Sequence, residues 1–192
     1  MVTNVNKIID DSIKVKEELK KENKIIYKIG ILISKCINKG GKVFFFGNGG
    51  SAADAQHISA ELVGRYQIKR KGLPSIAFTT NTSVLTAISN DFGYDIVFER
   101  QVKSTVTSDD VVVGISTSGA SANIIKGIIA AKKIGAKTVG LTGLNGAKLV
   151  KVADITLKVP SQNTQRIQEC HIMVGHIICD IVETHLSQKF KD

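Results

Sequence analysis

Short, nearly continuous apolar runs separated by helix-patterned stretches constrain this chain more than any other feature. The runs are Lys42–Phe46, Ser75–Phe78, Asp110–Ser116, Lys137–Leu141 and Asp154–Val159. Between and after them, residues 52–63, 83–89, 121–134, 148–152 and 162–188 carry apolar positions at three- and four-residue intervals. A strand that is apolar along its whole length has no face to offer water. It must be covered on both sides, and crossover helices do this when strands run parallel. The pattern predicts a three-layer α/β/α sandwich on a five-stranded parallel sheet. Ahead of it, Ile8, Ile9, Ile13 and Leu19, then Ile25, Ile26, Ile29, Leu32, Ile33 and Ile37, recur at helical spacing with a soft break at residues 22–24. These predict two helices within residues 1–39, an arm packing outside the sheet or at a subunit interface. With two prolines, no fixed-period repeat and no low-complexity tract, residues 1–192 read as one domain.

The formal charge of +9 suits an anionic partner, either a polyanion or a small phosphorylated metabolite. Aromatic residues are 5% of the chain, Trp is absent, and the lysines are not interleaved with aromatics, which argues against a base-stacking surface and against nucleic acid as partner. No run approaches the ~18–20 apolar residues of a membrane span, and residues 1–24 are polar rather than signal-like. A cytoplasmic protein without membrane contact is expected. Cys36, Cys170 and Cys179 are odd in number and have no CxxC spacing, so neither a disulfide framework nor a zinc finger is predicted.

Ligands of open parallel sheets collect beyond the carboxyl ends of the strands. The loop after the first strand, Gly47-Asn48-Gly49-Gly50-Ser51, would let a ligand approach the backbone at the start of a helix, or it is a plain strand-to-helix turn. It matches neither GxGxxG nor a nucleotide P-loop, so no nucleotide cofactor is expected. The loop after the third strand, Ser116-Thr117-Ser118-Gly119-Ala120-Ser121, places four hydroxyls at a helix start. An ordinary N-cap needs one, so the surplus points to a phosphate or other oxyanion. His57 and Glu61 are four residues apart and share a helix face, as a common surface pair, an acid/base pair or part of a metal site. The other histidines, His171, His176 and His185, all fall in the last helix, and periodicity does not sort ligands from packing residues.

Taken together, Gly47–Ser51, Asp54-Ala55-Gln56-His57 with Glu61, Gly64-Arg65-Tyr66, Asn90-Asp91-Phe92-Gly93, Gly114–Gly119 with Ser121, and Arg166-Ile167-Gln168-Glu169 with His171 and His176 resemble the bacterial phosphoheptose isomerases over essentially the whole chain. The resemblance implies a sugar-isomerase (SIS) fold and a homotetramer with sites at subunit interfaces. It implies conversion of sedoheptulose 7-phosphate to D-glycero-D-manno-heptose 7-phosphate, the first step toward ADP- or GDP-heptose for surface glycans. It further implies substrate contacts at Asn48, Gly49, Gly50, Ser51, Glu61, Asn90, Asp91, Ser116, Thr117, Ser118, Ser121 and Gln168, an acid/base pair of Glu61 and His176, and one Zn²⁺ held by His57, Glu61, Gln168 and His176. Gln165 is neutral where some family members carry an acid. A non-catalytic SIS scaffold, similar to the replication-initiator-associating protein, is the alternative, but that relative lacks the residues matching Glu61 and His176. An isomerase of another sugar phosphate is a second alternative.

Helix geometry adds one expectation of its own. Gln168 and His176 are eight residues apart, which on a regular helix is about 12 Å of rise. Two such side chains do not meet on one ion, so His176 is expected to complete a neighbouring subunit's site unless the helix is broken between them.

Overall fold

The computed structural model describes residues 4–187. Five parallel strands, β1 (Val43–Gly47), β2 (Ser75–Ala77), β3 (Val111–Ile115), β4 (Lys137–Thr142) and β5 (Ile155–Lys158), form one sheet in the order β2-β1-β3-β4-β5. Eight α-helices accompany them: α1 (Val5–Leu19), α2 (Asn23–Asn38), α3 (Gly50–Val63), α4 (Thr82–Phe92), α5 (Val97–Thr105), α6 (Ala122–Ile134), α7 (Leu149–Val152) and α8 (Thr164–Leu186). The three-layer expectation holds. The predicted extension of the last helix to Gln188 lies outside the described residues.

Alternation along the strands sends side chains to two separate cores. Val43, Phe45, Val111 and Val113 join Ile29 and Ile33 of α2, Ile58 and Leu62 of α3, and Val174 and Val182 of α8. On the opposite face, Phe44, Phe46 and Val112 join Phe98 of α5 and Ile124 and Ile128 of α6. There the Phe46 ring stacks on Phe98 with centroids 4.8 Å apart, and Phe44 stacks on Phe78 at 5.0 Å. Each such fully buried side chain contributes about 1.5–3 kcal/mol.

The N-terminal helices divide. Helix α2 is a full member of the covering layer, with Ile26, Ile29, Ile33 and Cys36 buried against the sheet and α8. Its apolar stripe is wide enough to face a sheet and a helix together. Helix α1 does lie at the periphery, burying only Leu19 while Val5, Ile8, Ile9 and Ile13 are exposed. It is tied to the start of α8 by polar contacts: Arg166 donates to the Ile8 carbonyl, and Ser12 donates to Glu169.

Cys36, Cys170 and Cys179 are all buried and unpaired, and burial pushes the Cys179 thiol up to about 12, so it stays protonated. His171 is fully buried under β4, with Nε2 3.3 Å from the Thr142 carbonyl. Burial pushes its pKa down to about 4, only partly opposed by that carbonyl. Below the ordinary histidine value of 6.5 the unfolded chain therefore binds a proton that the folded chain refuses until about pH 4. Stability must fall with pH across that window. Urea unfolding of wild type and His171→Gln should show their difference moving against wild type by on the order of 3 kcal/mol between about pH 7 and about pH 4.

Candidate active site

In the strand order, the connections from β1 lead outward in one direction to β2 and from β3 in the other to β4 and β5. The crevice of such a sheet opens where the order reverses, beyond the carboxyl ends of β1 and β3. Gly47 and Ile115 end these two strands as register partners, so the glycine loop and the hydroxyl loop lie side by side. Each leads directly into a helix N-terminus, α3 at Gly50 and α6 at Ala122, where the positive end of the helix dipole favours an anion.

Gly49 precedes α3 with φ +55°, a left-handed conformation that glycine adopts without strain. In the second loop Gly119 has φ +66°, and a Cβ there would come within 2.2 Å of the Gly146 carbonyl oxygen. The hydroxyls do not act as an ordinary cap. Ser121 stands at the N-cap of α6 yet makes no side-chain capping bond, and its Oγ lies 3.1 Å from that of Ser116. Ser116 Oγ also accepts from the Gly119 N–H, and Ser118 Oγ from the Ala120 N–H. The loop thus curls around its own hydroxyls with its backbone drawn inward.

The two loops are coupled by a residue that sequence reasoning missed. Asn48 and Asn123 exchange two amide hydrogen bonds, each 2.9 Å, and Asn123 also accepts from the Ile124 N–H. Asn123 is buried in the first turn of α6, where a lone asparagine reads as ordinary helix-start chemistry, so nothing in the sequence marks it. Tyr94 donates to Asn48 Oδ1 at 3.2 Å and brings in the segment after α4. Asn90 and Asp91 hydrogen-bond each other at the exposed end of α4.

The second half of the site lies where α3 crosses α8. Gly50 abuts Gln168, Ile58 abuts Gly175, and His57 abuts His176, so the two helices run parallel, close enough that a Cβ at Gly175 would meet Ile58 at 2.5 Å. This contact brings His57, Glu61 and His176 of one chain together, with ligand atoms all within 4.8 Å of one another. His57 Nε2 is 3.2 Å from Glu61 Oε1 and 3.4 Å from His176 Nε2. These spacings fit a metal, because tetrahedral zinc with bonds of ~2.0–2.1 Å sets its ligand atoms about 3.3 Å apart. Tyr66 stacks on His176, ring centroids 5.8 Å apart.

Helix α8 is unbroken through both Gln168 and His176, and the two do separate, but His176 does not lie apart from its own chain's His57 and Glu61 as expected. His176 stays with its own chain's His57 and Glu61, while Gln168, two turns earlier, packs its amide on Gly50. The physical reason is the parallel crossing, which matches each residue of α8 with the residue of α3 at the same height. Asp54, one turn before His57, was also missed as a site residue. Its Oδ2 is buried without a partner, and burial, partly offset by His57, pushes its carboxyl up to about 6.

Residues 9–143 match the SIS domain family. The phosphoheptose isomerase of Aquifex aeolicus is 48% identical over 192 residues, an alignment covering 98% of this chain and 100% of that one. That of Sulfurimonas denitrificans is 50% identical, covering 93% of each chain. Among solved structures, a phosphoheptose isomerase from Francisella tularensis superposes with TM-score 0.91 at 34% identity, over 95% of this chain and 100% of that one. The one from Neisseria gonorrhoeae gives TM-score 0.89 at 41% identity, over 94% and 97%.

The α3–α8 crossing yields a test. Gly175→Val places new atoms against Ile58, which should lower stability by about 1–3 kcal/mol in urea unfolding, with Gly175→Ala intermediate. Unchanged unfolding of both variants would show that the helices do not meet there.

Proposed function

The chain belongs to the SIS-domain family and is a phosphoheptose isomerase, and from this premise we propose that it interconverts sedoheptulose 7-phosphate and D-glycero-D-manno-heptose 7-phosphate through an enediol(ate). The observation that carries the reading is the convergence of Glu61, His57 and His176 on one side of α3, at the end of a helix whose start faces the hydroxyl loop. An aldose–ketose isomerase must hold a phosphate and, some way off, move a proton between two adjacent carbons. His57 stands about 10 Å along α3 from Gly50, a separation suited to an extended sugar phosphate.

The division of labour follows from the residue chemistry. Ser116, Thr117, Ser118, Ser121 and the N-termini of α3 and α6 bind the phosphate, with Asn48, Gly49, Gly50 and Ser51 closing over it. Asn90, Asp91 and Gln168 take sugar hydroxyls. Binding energy from the phosphate, remote from the reacting carbons, holds the open-chain sugar against Glu61. The Glu61 carboxylate removes the proton from one carbon and returns it to its neighbour. His176 exchanges the proton of the two oxygens, so charge does not accumulate on the enediolate.

Zn²⁺ would be held by His57, Glu61 and His176, and when bound it supplies a Lewis acid for the carbonyl oxygen. Within one chain Gln168 is not beside these three, so it would join the set only as Gln168 of the partner subunit. Assembly into a homotetramer is supported by the exposed apolar face of α1 and by the adjoining groove of about 700 Å³ between α1, α2 and α8, floored by Leu19, Ile26, Met173 and Ile177. No helix among the described residues is long and apolar enough to cross a membrane, and a cytoplasmic enzyme acting at the first step of nucleotide-heptose synthesis fits the charge and composition. The scaffold alternative does not account for three ionisable side chains converging at one point.

Turnover of sedoheptulose 7-phosphate by the purified chain tests the reading. Glu61→Gln and His176→Gln should each lower kcat by about 10²–10⁴-fold. Ser121→Ala should act chiefly on KM, raising it on the order of tenfold through loss of a charge-assisted hydrogen bond. A zinc-replete wild-type protein that left this substrate unchanged would overturn the assignment.

A further inference from the structure

Glu61 occupies the last turn of α3, two residues before its end at Val63. The final carbonyls of a helix have no partner within it, and an end left so frays. Here they are satisfied from outside. The Ala60 carbonyl accepts from the Gly64 N–H at 2.8 Å, that of Glu61 from Arg70 Nη2 at 3.0 Å, and that of Leu62 from Arg70 Nη1 at 2.8 Å and the Leu73 N–H at 3.0 Å. One guanidinium thus holds the backbone of Glu61 and of the residue after it.

Arg70 is itself held by Glu183, seven residues beyond His176 on the same face of α8. Its Nε donates to Glu183 Oε1 at 2.6 Å, and both side chains are buried, at 0% and 2% exposure. The same carboxylate accepts the N–H groups of Tyr66, Gln67 and Ile68 at 2.8–2.9 Å. Burial pushes Glu183 up, but the three backbone donors and Arg70 outweigh it and hold the carboxyl below its ordinary value, so the pair stays ionised. Through these bonds the loop after α3 is seated on α8, and Tyr66 lies with its ring against His176.

We propose that the buried Arg70–Glu183 pair is a positioning device for the isomerase site, fixing Glu61 through the end of α3 and His176 through Tyr66. The inference rests on the assignment of those two residues as the acid/base pair. A buried ion pair is a poor source of net stability, because desolvation offsets its attraction, whereas a fork bonded in a single geometry is an effective way to hold backbone in place. The groups it holds are the two whose mutual placement sets the proton-transfer rate, and placement errors of about 1 Å cost on the order of a hundredfold. These bonds of the pair fall at the C-terminal end of α3, opposite the end that faces the hydroxyl loop, so its effect is expected on proton transfer rather than on phosphate binding.

Four variants and wild type, each assayed with sedoheptulose 7-phosphate and by thermal unfolding, decide the matter. Arg70→Lys keeps a cation opposite Glu183 but cannot fork onto two carbonyls. Its kcat should fall about 10–100-fold with KM within about twofold of wild type. Tyr66→Leu leaves the pair and its backbone bonds in place, so it should reproduce part of the kcat loss without lowering the unfolding temperature, while Tyr66→Phe retains wild-type turnover. Glu183→Gln, which keeps the side-chain shape but loses the charge and turns one of the two acceptor oxygens into an amide donor, should resemble Arg70→Lys. If Arg70→Lys does not fold, the two Tyr66 variants decide by themselves. Wild-type kcat in both Arg70→Lys and Tyr66→Leu, or losses shared equally by kcat and KM, would overturn the inference while leaving the isomerase reading intact. Wild type without turnover would overturn the isomerase reading, and this inference with it.

Discussion

The site depends first on how closely α3 and α8 approach. Both follow strands of one parallel sheet and cover the same face of it, so they run in the same direction. At their crossing Gly175 offers no side chain, and Ile58 fills that space. The rest follows from this contact. His57 and His176 are brought to the same height, Glu61 joins them one turn later, and Glu183 arrives opposite the loop that continues from α3. Had a larger residue stood at 175, the imidazoles would be held apart and a shared proton or ion could not span them.

The anion-binding half has a different origin. It is a property of strand order: connections leaving β1 and β3 in opposite directions leave their carboxyl ends uncovered, and two helix N-termini point into the gap. In the proposed reading, substrate charge would be met there by hydroxyls and backbone N–H groups rather than by lysine, even though the chain carries a net charge of +9. The basic residues set the field around the molecule, and the loops set the fit. The Asn48–Asn123 amide pair links the two loops, so the hydroxyl loop and the start of α3 form one unit. Helix α3 then extends that unit to Glu61, whose far end is held by Arg70.

Much of this was legible in the chain before folding. The apolar runs placed the strands within one or two residues, since a strand covered on both faces must be apolar throughout. Ser116–Ser121 stood out because its hydroxyls exceed what a cap uses, and Ser121 indeed makes no capping bond. His57 and Glu61 were paired correctly, because i and i+4 on a helix is a local relation. Residues related only through packing were not legible. Asn123 resembles any polar residue in a first turn, Asp54 any acid on an amphipathic helix, and Arg70 and Glu183 two of many charges until burial distinguishes them. What covers α2 was not legible for a similar reason: an apolar stripe says that a helix is covered, not by what.

By itself, the sequence determined the class of sheet, the loops at its carboxyl ends and the helix faces that carry the reactive side chains. Each of these arises from steric and hydrogen-bonding preferences acting over a few neighbouring residues. Only the tertiary structure decided where the polar residues of α8 are placed. Gln168, His171, His176 and His185 belong to one helix of one periodicity. The angle and height at which α3 crosses it put the first on Gly50 and the third on His57, while the sheet buries the second under Thr142. Such placement is set by contacts between segments from 29 to 119 residues apart in the chain, and no local pattern encodes it.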